Sequence, residues 1–198
     1  MSRVIKTVSA DGSSSGAGLT TADVNTLIQA KSEWEFIRAD ELTSTVSQWV
    51  LGDGIDNDTY AAYKYVFTKL VPNGSAYYGI RIQNTAGTNL NFTYFSHISN
   101  TSHAYASGTS SNILYFYGST SGLNNAAEMF LEVEVQQNDV IQGYFKSGMA
   151  YPAGYWQHDT SGSFICTSEA HVFGSLELPF GFQGGKVSMY GRRHRSAS

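Results

Sequence analysis

The stretch that decides the fold is residues 128–135, Glu-Met-Phe-Leu-Glu-Val-Glu-Val, in which charged and apolar side chains alternate. Successive side chains of a β-strand point to opposite faces of its sheet, so this alternation predicts a strand with one buried and one solvated face. Phe130 is the one apolar residue at a solvated position, beside Glu128, Glu132 and Glu134. A half-solvated strand of this kind is typical of antiparallel sheets.

The same period of two recurs along the chain, with turn residues between the segments. Tyr78, Ile80 and Ile82 alternate with Arg81 and Gln83, and Gly-rich or Pro-Asn-Gly turns interrupt the chain about every ten residues. The pattern predicts an all-β fold, an antiparallel β-sandwich of jelly-roll type in which two sheets pack together. Eleven strands are expected, at residues 34–39, 46–51, 61–71, 77–83, 90–97, 113–118, 128–136, 140–146, 163–167, 170–178 and 186–190.

Composition narrows the classes of function. Charged residues make up 14% of the 198 residues, against about 25% in typical globular domains, and the net charge is −4. A surface of Ser, Thr, Asn and Gly suits burial against protein partners, whereas nucleic-acid binding needs a basic surface. No apolar run approaches the length of a membrane span. The single cysteine, Cys166, forms no intrachain disulfide and is expected to be a buried small hydrophobe in a strand.

The first 32 residues have a different sequence pattern from the rest of the chain. A short alternating segment and a Gly/Ser run precede residues 19–28, where apolar side chains recur on one face of a short amphipathic helix. We therefore expect residues 1–32 to form an arm, linker and helix, residues 33–191 the β-sandwich domain, and residues 192–198 a basic tail. A helix this short is marginal in water, so the arm needs a docking surface. Its expected anchoring side chains are Val4, Ile5, Val8, Val24, Leu27 and Ile28.

No constellation of catalytic or metal-ligating residues stands out. His158 and Asp159 are adjacent, and neighbouring residues of a strand point to opposite faces, which does not suit a catalytic triad. Asp53, Asp56 and Asp58 crowd one loop without the spacing of an EF-hand, so a solvated turn is favoured over a loop Ca²⁺ site. We predict a non-enzymatic protein with no catalytic residue, no cofactor and no metal.

Aromatic residues crowd one loop segment, where Tyr151, Tyr155 and Trp156 surround Pro152 and Gly154. Such rings stack on sugars in lectins, plug subunit interfaces, or pack into the core. Core packing is the favoured interpretation, and ligand stacking by the three rings is the functional alternative.

Several motifs in order resemble virion proteins of tailed bacteriophages. Residues 51–67 contain Gly-Ile-Asp, polar residues, then Tyr, Lys and an apolar-aromatic run, and Val71-Pro72 follows. Residues 78–82 place Arg81 between apolar residues, and residues 185–191 close the domain with an apolar-X-apolar-Tyr-Gly pattern. The opening, with Val-Ile-Lys-Thr-Val, a Gly/Ser run and Leu-Thr-Thr-Ala-Asp-Val, is similar to small structural proteins of marine and cyanobacterial phages.

This resemblance implies assembly and attachment, with no catalytic residues to carry over. It implies a capsid decoration, knob or short tail-fibre protein made in the bacterial host cytoplasm and located in the virion. Its partners would be other capsid or tail proteins and further copies of itself. Similar proteins suggest a trimer. No nucleic acid or membrane is expected as a partner. The alternative is a receptor-binding or carbohydrate-binding adhesin module of the tail that contacts a host surface glycan.

Overall fold

In the computed structural model, the described residues are 33–73, 78–99, 104–117, 128–137, 139–150, 157–167 and 172–194, and they form twelve β-strands and no helix. The prediction of an all-β chain is confirmed for these residues. The strands belong to one compact unit, Phe36–Ser198, except that the first residue of β1, Glu35, precedes it. In chain order the strands are β1 Glu35–Leu42, β2 Trp49–Leu51, β3 Tyr60–Pro72, β4 Tyr78–Asn84, β5 Phe92–Ser99, β6 Ala104–Ser111, β7 Leu114–Tyr117, β8 Glu128–Gln137, β9 Ile141–Ala150, β10 Gln157–Cys166, β11 Phe173–Leu178 and β12 Phe182–Arg193.

The strands form two sheets. The large sheet has eight strands in the order β1-β12-β3-β8-β9-β10-β5-β6, and the small sheet has four in the order β2-β11-β4-β7. Every strand pair whose register is defined is antiparallel. The arrangement confirms antiparallel pairing and the expected presence of two sheets.

Strand β3 shows how the alternation builds the core. Tyr63, Tyr65 and Phe67 are fully buried, at every second position. The register with β8 shifts between Phe67 and Leu70, where Lys69 has a φ of 53°. A bulge adds one unpaired residue to a strand, so it changes which positions face inward, and Leu70 is again fully buried.

Aromatic contacts join the two sheets across this core. Phe173 on β11 lies 5.3 Å from Tyr63 and 6.4 Å from Tyr65, measured between ring centroids. Trp49 on β2 meets Phe67 edge-on at 5.9 Å. Buried side chains from both sheets therefore form one continuous hydrophobic cluster.

Two expectations about single residues are confirmed. Phe130 lies on the outer face of β8, where it is 43% exposed, whereas its sequence neighbours Met129 and Leu131 face inward and are buried. Cys166 is buried at the end of β10 and forms no disulfide within the described residues. Among the residues that the structure describes, none belongs to a helix with the length and hydropathy that a membrane crossing requires.

Candidate binding face

The residues that the sequence singled out as binding positions lie outside the described part of the chain. This holds for the six anchoring residues of the arm and for the short helix, within residues 1–32. It holds equally for Tyr151, Tyr155 and Trp156. Their roles therefore stay predictions.

The Asp-rich loop is described, and two of its three carboxylates, those of Asp53 and Asp56, have protein partners. Asp53 pairs with Arg38 at 3.0 Å. Asp56 Oδ1 accepts hydrogen bonds from the backbone N–H groups of Asp58 and Thr59. Hydrogen bonds from Thr59, foremost from its side chain, lower the pKa of Asp56. These contacts are those of a structured turn, and no group of three metal-ligating side chains occurs among the described residues.

The basic cluster near the C-terminus begins inside the sheet. Arg192 and Arg193 are the last two residues of β12. Arg192 Nη2 lies 3.9 Å from Glu134 Oε1, and the Arg193 guanidinium lies 6.0 Å from the centre of the Tyr60 ring. His194 Nε2 is 3.0 Å from the backbone oxygen of Asn57. The described part of the cluster therefore has contacts within the protein.

A candidate binding surface that the sequence did not predict lies on the outer face of the large sheet. The pairing registers of β9, β10 and β5 place Tyr144, Ser163 and Phe95 side by side in one row. The adjacent row consists of Gln142, Ile165 and Thr93. None of these side chains is charged, and we call the six together the uncharged patch: Thr93, Phe95, Gln142, Tyr144, Ser163 and Ile165.

Large apolar side chains of the uncharged patch are exposed to solvent. Phe95 is 51%, Ile165 46% and Tyr144 38% exposed. Single exposed hydrophobic residues are ordinary on protein surfaces, but three that adjoin across neighbouring strands form a contiguous apolar surface. The patch lines a groove of about 640 Å³, whose lining also includes Tyr94, Gln136, Gly143 and Phe164.

The small residue at the centre of the first row shapes this groove. Ser163 lies between Tyr144 on one neighbouring strand and Phe95 on the other. Adjacent strands are about 4.8 Å apart, so the two ring-bearing positions are separated by roughly 10 Å. The groove is therefore a slot with an aromatic residue on each side and a hydroxyl at its base.

Hydrogen bonds hold the Tyr144 side of the slot in place. The Tyr144 hydroxyl donates to Glu134, the neighbour of Tyr144 on β8. Glu134 also accepts a hydrogen bond of 2.9 Å from Gln136 Nε2 and faces Arg192. Burial, followed by the bond to Glu134, raises the pKa of Tyr144, so the phenol remains a donor across the physiological pH range.

The burial of Glu134 differs from the expectation that the glutamates of residues 128–135 face solvent. Its position on the outer face agrees with the alternation, yet it is only 5% exposed because neighbouring side chains cover it. By contrast, Glu132 keeps partial exposure and pairs with Lys64 at 3.3 Å. The outer face thus has ion pairs on β12, β3 and β8 and the uncharged patch on β9, β10 and β5, with Lys146 in the next row of β9.

The sequence contains a signal for this patch that alternation alone does not identify. Residues 94–95, Tyr-Phe, and residues 164–166, Phe-Ile-Cys, place apolar side chains at consecutive positions. Phe92, Tyr94 and Phe164 are buried, whereas Phe95 and Ile165 are exposed. A strand with apolar residues on both faces indicates either a second buried face or a binding surface.

Comparison with known proteins returns no counterpart. No family model, curated protein or solved structure matches this chain. The uncharged patch and its surroundings are therefore the basis for a functional assignment.

Proposed function

We propose that this protein is a non-enzymatic binding and assembly module of a tailed-phage virion, working as a capsid decoration, knob or short-fibre protein. The observation that carries the binding role is the uncharged patch, a contiguous exposed surface of aromatic, aliphatic and neutral polar side chains. The virion setting comes from the resemblance of the sequence motifs. In this proposal the arm of residues 1–32 attaches the protein and the β-sandwich displays the patch.

The strand order supports a jelly roll as the core of this sandwich. Strands β1-β12-β3-β8 of the large sheet correspond to β2-β11-β4-β7 of the small sheet, so the chain passes between the sheets at each consecutive pair. Eight strands that alternate in this way make a double-sheet jelly roll, an architecture found in viral capsid and lectin domains. That analogy concerns the fold and not the function.

The remaining four strands extend the large sheet beyond β8. They come from two insertions in this core, β5-β6 between β4 and β7, and β9-β10 between β8 and β11. The insertions pair with each other through β10 and β5. Because the uncharged patch lies wholly on β9, β10 and β5, the extension is the part of the fold that supplies the proposed recognition surface.

The ionisable side chains around the patch support a binding role over a catalytic one. General acid–base catalysis needs titratable groups that converge on a substrate. Instead, Glu132 and Glu134 of the outer face each pair with a cation, Lys64 and Arg192 respectively. They act as structural contacts beside a neutral surface.

Virion incorporation tests this proposal. The full-length chain with an affinity tag is produced during infection by the phage that encodes it, and purified particles are analysed by quantitative mass spectrometry. We expect a fixed copy number per particle. The triple variant Val4→Asp/Ile5→Asp/Val8→Asp should be lost from particles because it places charges in the anchoring surface.

A matched control distinguishes anchoring from a general effect of charge. Thr7→Asp/Ser9→Asp adds acidic residues at polar positions of the same segment and should leave incorporation intact. Particles without the wild-type chain would overturn the virion assignment. Equal incorporation of the triple variant and the control would overturn the anchoring role of the arm.

A further inference from the structure

The ligand of the uncharged patch can be narrowed by charge. All six patch side chains are neutral, and the charged side chains next to them on β8 are paired with Lys64 and Arg192. Lys146 follows Tyr144 by two positions on the same face of β9, but it does not line the groove. A charged group that lay on the six patch side chains would lose hydration without gaining an ionic partner among them, which is costly. The groove therefore favours a neutral ligand.

Hydrogen-bonding capacity narrows the ligand further. Within the described part of the chain, the side chains of Thr93, Gln142 and Ser163 make no hydrogen bond to another protein group. Two hydroxyls and one amide thus present donors and acceptors between and beside the rings of Tyr144 and Phe95. A complementary ligand needs apolar faces for the rings and hydroxyl-type groups along its edges.

The size of the patch argues against a second protein as the occupant. Three strands by two alternate residues cover roughly 10 Å by 7 Å of sheet. A stable protein interface buries about 800 Å² on each partner. The six patch side chains, bordered on β8 by ion-paired residues, supply by themselves far less area than such an interface. The groove volume of about 640 Å³ is instead that of an ordinary small-ligand site.

We propose that the groove between Tyr144 and Phe95 binds a neutral saccharide. A sugar ring has C–H faces that pack on aromatic rings and hydroxyl groups around its edge that bond to amides and hydroxyls. In this assignment Tyr144 and Phe95 contact the faces of the saccharide, and Ser163, Gln142 and Thr93 contact its hydroxyls. The assignment rests on the proposed function, in which the patch is a recognition surface.

The experiment uses the full-length protein and a panel of neutral oligosaccharides built from glucose, galactose, mannose and N-acetylglucosamine. Sialylated and sulfated oligosaccharides serve as charged comparators, and each hit is titrated by calorimetry. Tyr144→Ala and Phe95→Ala should each weaken binding about tenfold or more, as expected for an aromatic anchor. Tyr144→Phe keeps the ring and should stay within about threefold of wild type.

Two further variants make the test specific to the groove. Ser163→Tyr replaces the serine hydroxyl with a ring that fills the slot, and it should abolish binding. Phe130→Ala removes an equally exposed ring elsewhere on the same face, over Gly148, and should leave binding unchanged. Loss of binding in Phe130→Ala equal to that in Tyr144→Ala would contradict the assignment.

Different results would contradict the saccharide assignment and the proposed assembly function. If no neutral oligosaccharide binds while the protein is incorporated into virions, the saccharide assignment is wrong and the assembly role stands. If Ile165→Ser disrupts self-association measured by analytical ultracentrifugation, the patch is an interface between copies and the saccharide assignment is again wrong. Preference for the charged comparators would also overturn it.

Discussion

The ring of Phe164 on β10 occupies the space beside Gly143 on β9. A Cβ atom at Gly143 would lie 2.7 Å from Phe164 Cζ and would collide with the backbone oxygen of Glu134. The reciprocal arrangement joins Phe145 and Gly162, where an added Cβ would lie 2.6 Å from Phe145 Cζ. Glycines paired with aromatic rings on the neighbouring strand thus let β9 and β10 pack closely beneath the uncharged patch.

Gly143→Ala should therefore destabilise the domain. The added methyl group meets a backbone carbonyl as well as a ring, so relief requires movement of the sheet, and we expect a loss of about 3 kcal/mol in the free energy of unfolding. Gly184→Ala is the control, because a Cβ there makes only ordinary contacts of 3.8 Å or more. Urea denaturation followed by tryptophan fluorescence measures both. Equal stability of the two variants would show that β9 accommodates the added methyl group without loss of folding free energy.

The strands with strong alternation were predictable from sequence because burial of one face dictates their pattern. Strand β8 and the alternating part of β4 are examples. Strand β6, with the sequence Ala-Tyr-Ala-Ser-Gly-Thr-Ser-Ser, was not predicted. It contains one large apolar residue, and its place in the sheet comes from backbone pairing with β5, which leaves no periodic signal.

The uncharged patch could not be predicted for a related reason. Its six residues come from three strands that are distant in sequence, and they adjoin only through the registers of β10 with β5 and β9. Register depends on tertiary packing, which a local pattern does not encode. The predicted strand at residues 163–167 also covered only the end of β10, because the first half of that strand, Gln-His-Asp-Thr-Ser, is polar.

Lys69 should be a site where glycine stabilises the protein. It is the only described non-glycine residue with a positive φ, 53°, and a side chain with a Cβ disfavours this conformation. Lys69→Gly should raise the free energy of unfolding by up to about 1 kcal/mol, and Lys69→Val should lower it. The neighbouring exposed Thr68 is the control, since Thr68→Gly weakens a strand and should lower stability. Thermal denaturation would contradict this prediction if Lys69→Gly melted below wild type.

Arg81 compensates the buried carboxylate of Glu177. The Arg81 guanidinium lies 3.6 Å from Glu177 Oε1, Gln83 Nε2 donates to Oε2 at 3.1 Å, and Glu177 is 3% exposed. Arg81→Met should cost about 2 kcal/mol, less than for a fully buried pair because Arg81 is partly solvated. The double variant Arg81→Met/Glu177→Leu should be more stable than Arg81→Met alone. Additive losses in a double-mutant cycle would show that the two side chains are not coupled.

Tyr63 should make the protein sensitive to alkaline pH. Its hydroxyl accepts a hydrogen bond of 2.8 Å from the Asp56 N–H and lies 3.1 Å from Asn57 Oδ1, to which it donates. Burial raises the pKa of Tyr63 from 10.0 to about 12. A folded-state pKa above the unfolded value means that the unfolded chain releases its proton first. The stabilisation is therefore complete below about pH 10 and is lost as the pH rises towards 12.

Tyr63→Phe separates this effect from the general alkaline instability of the chain. The variant loses the two hydrogen bonds, so it should be about 1 kcal/mol less stable than wild type at pH 7. Because phenylalanine does not ionise, the difference should shrink between pH 10 and pH 12. Urea denaturation at intervals across this range measures it. A difference that stayed constant up to pH 12 would mean that the ionisation of Tyr63 is not coupled to folding.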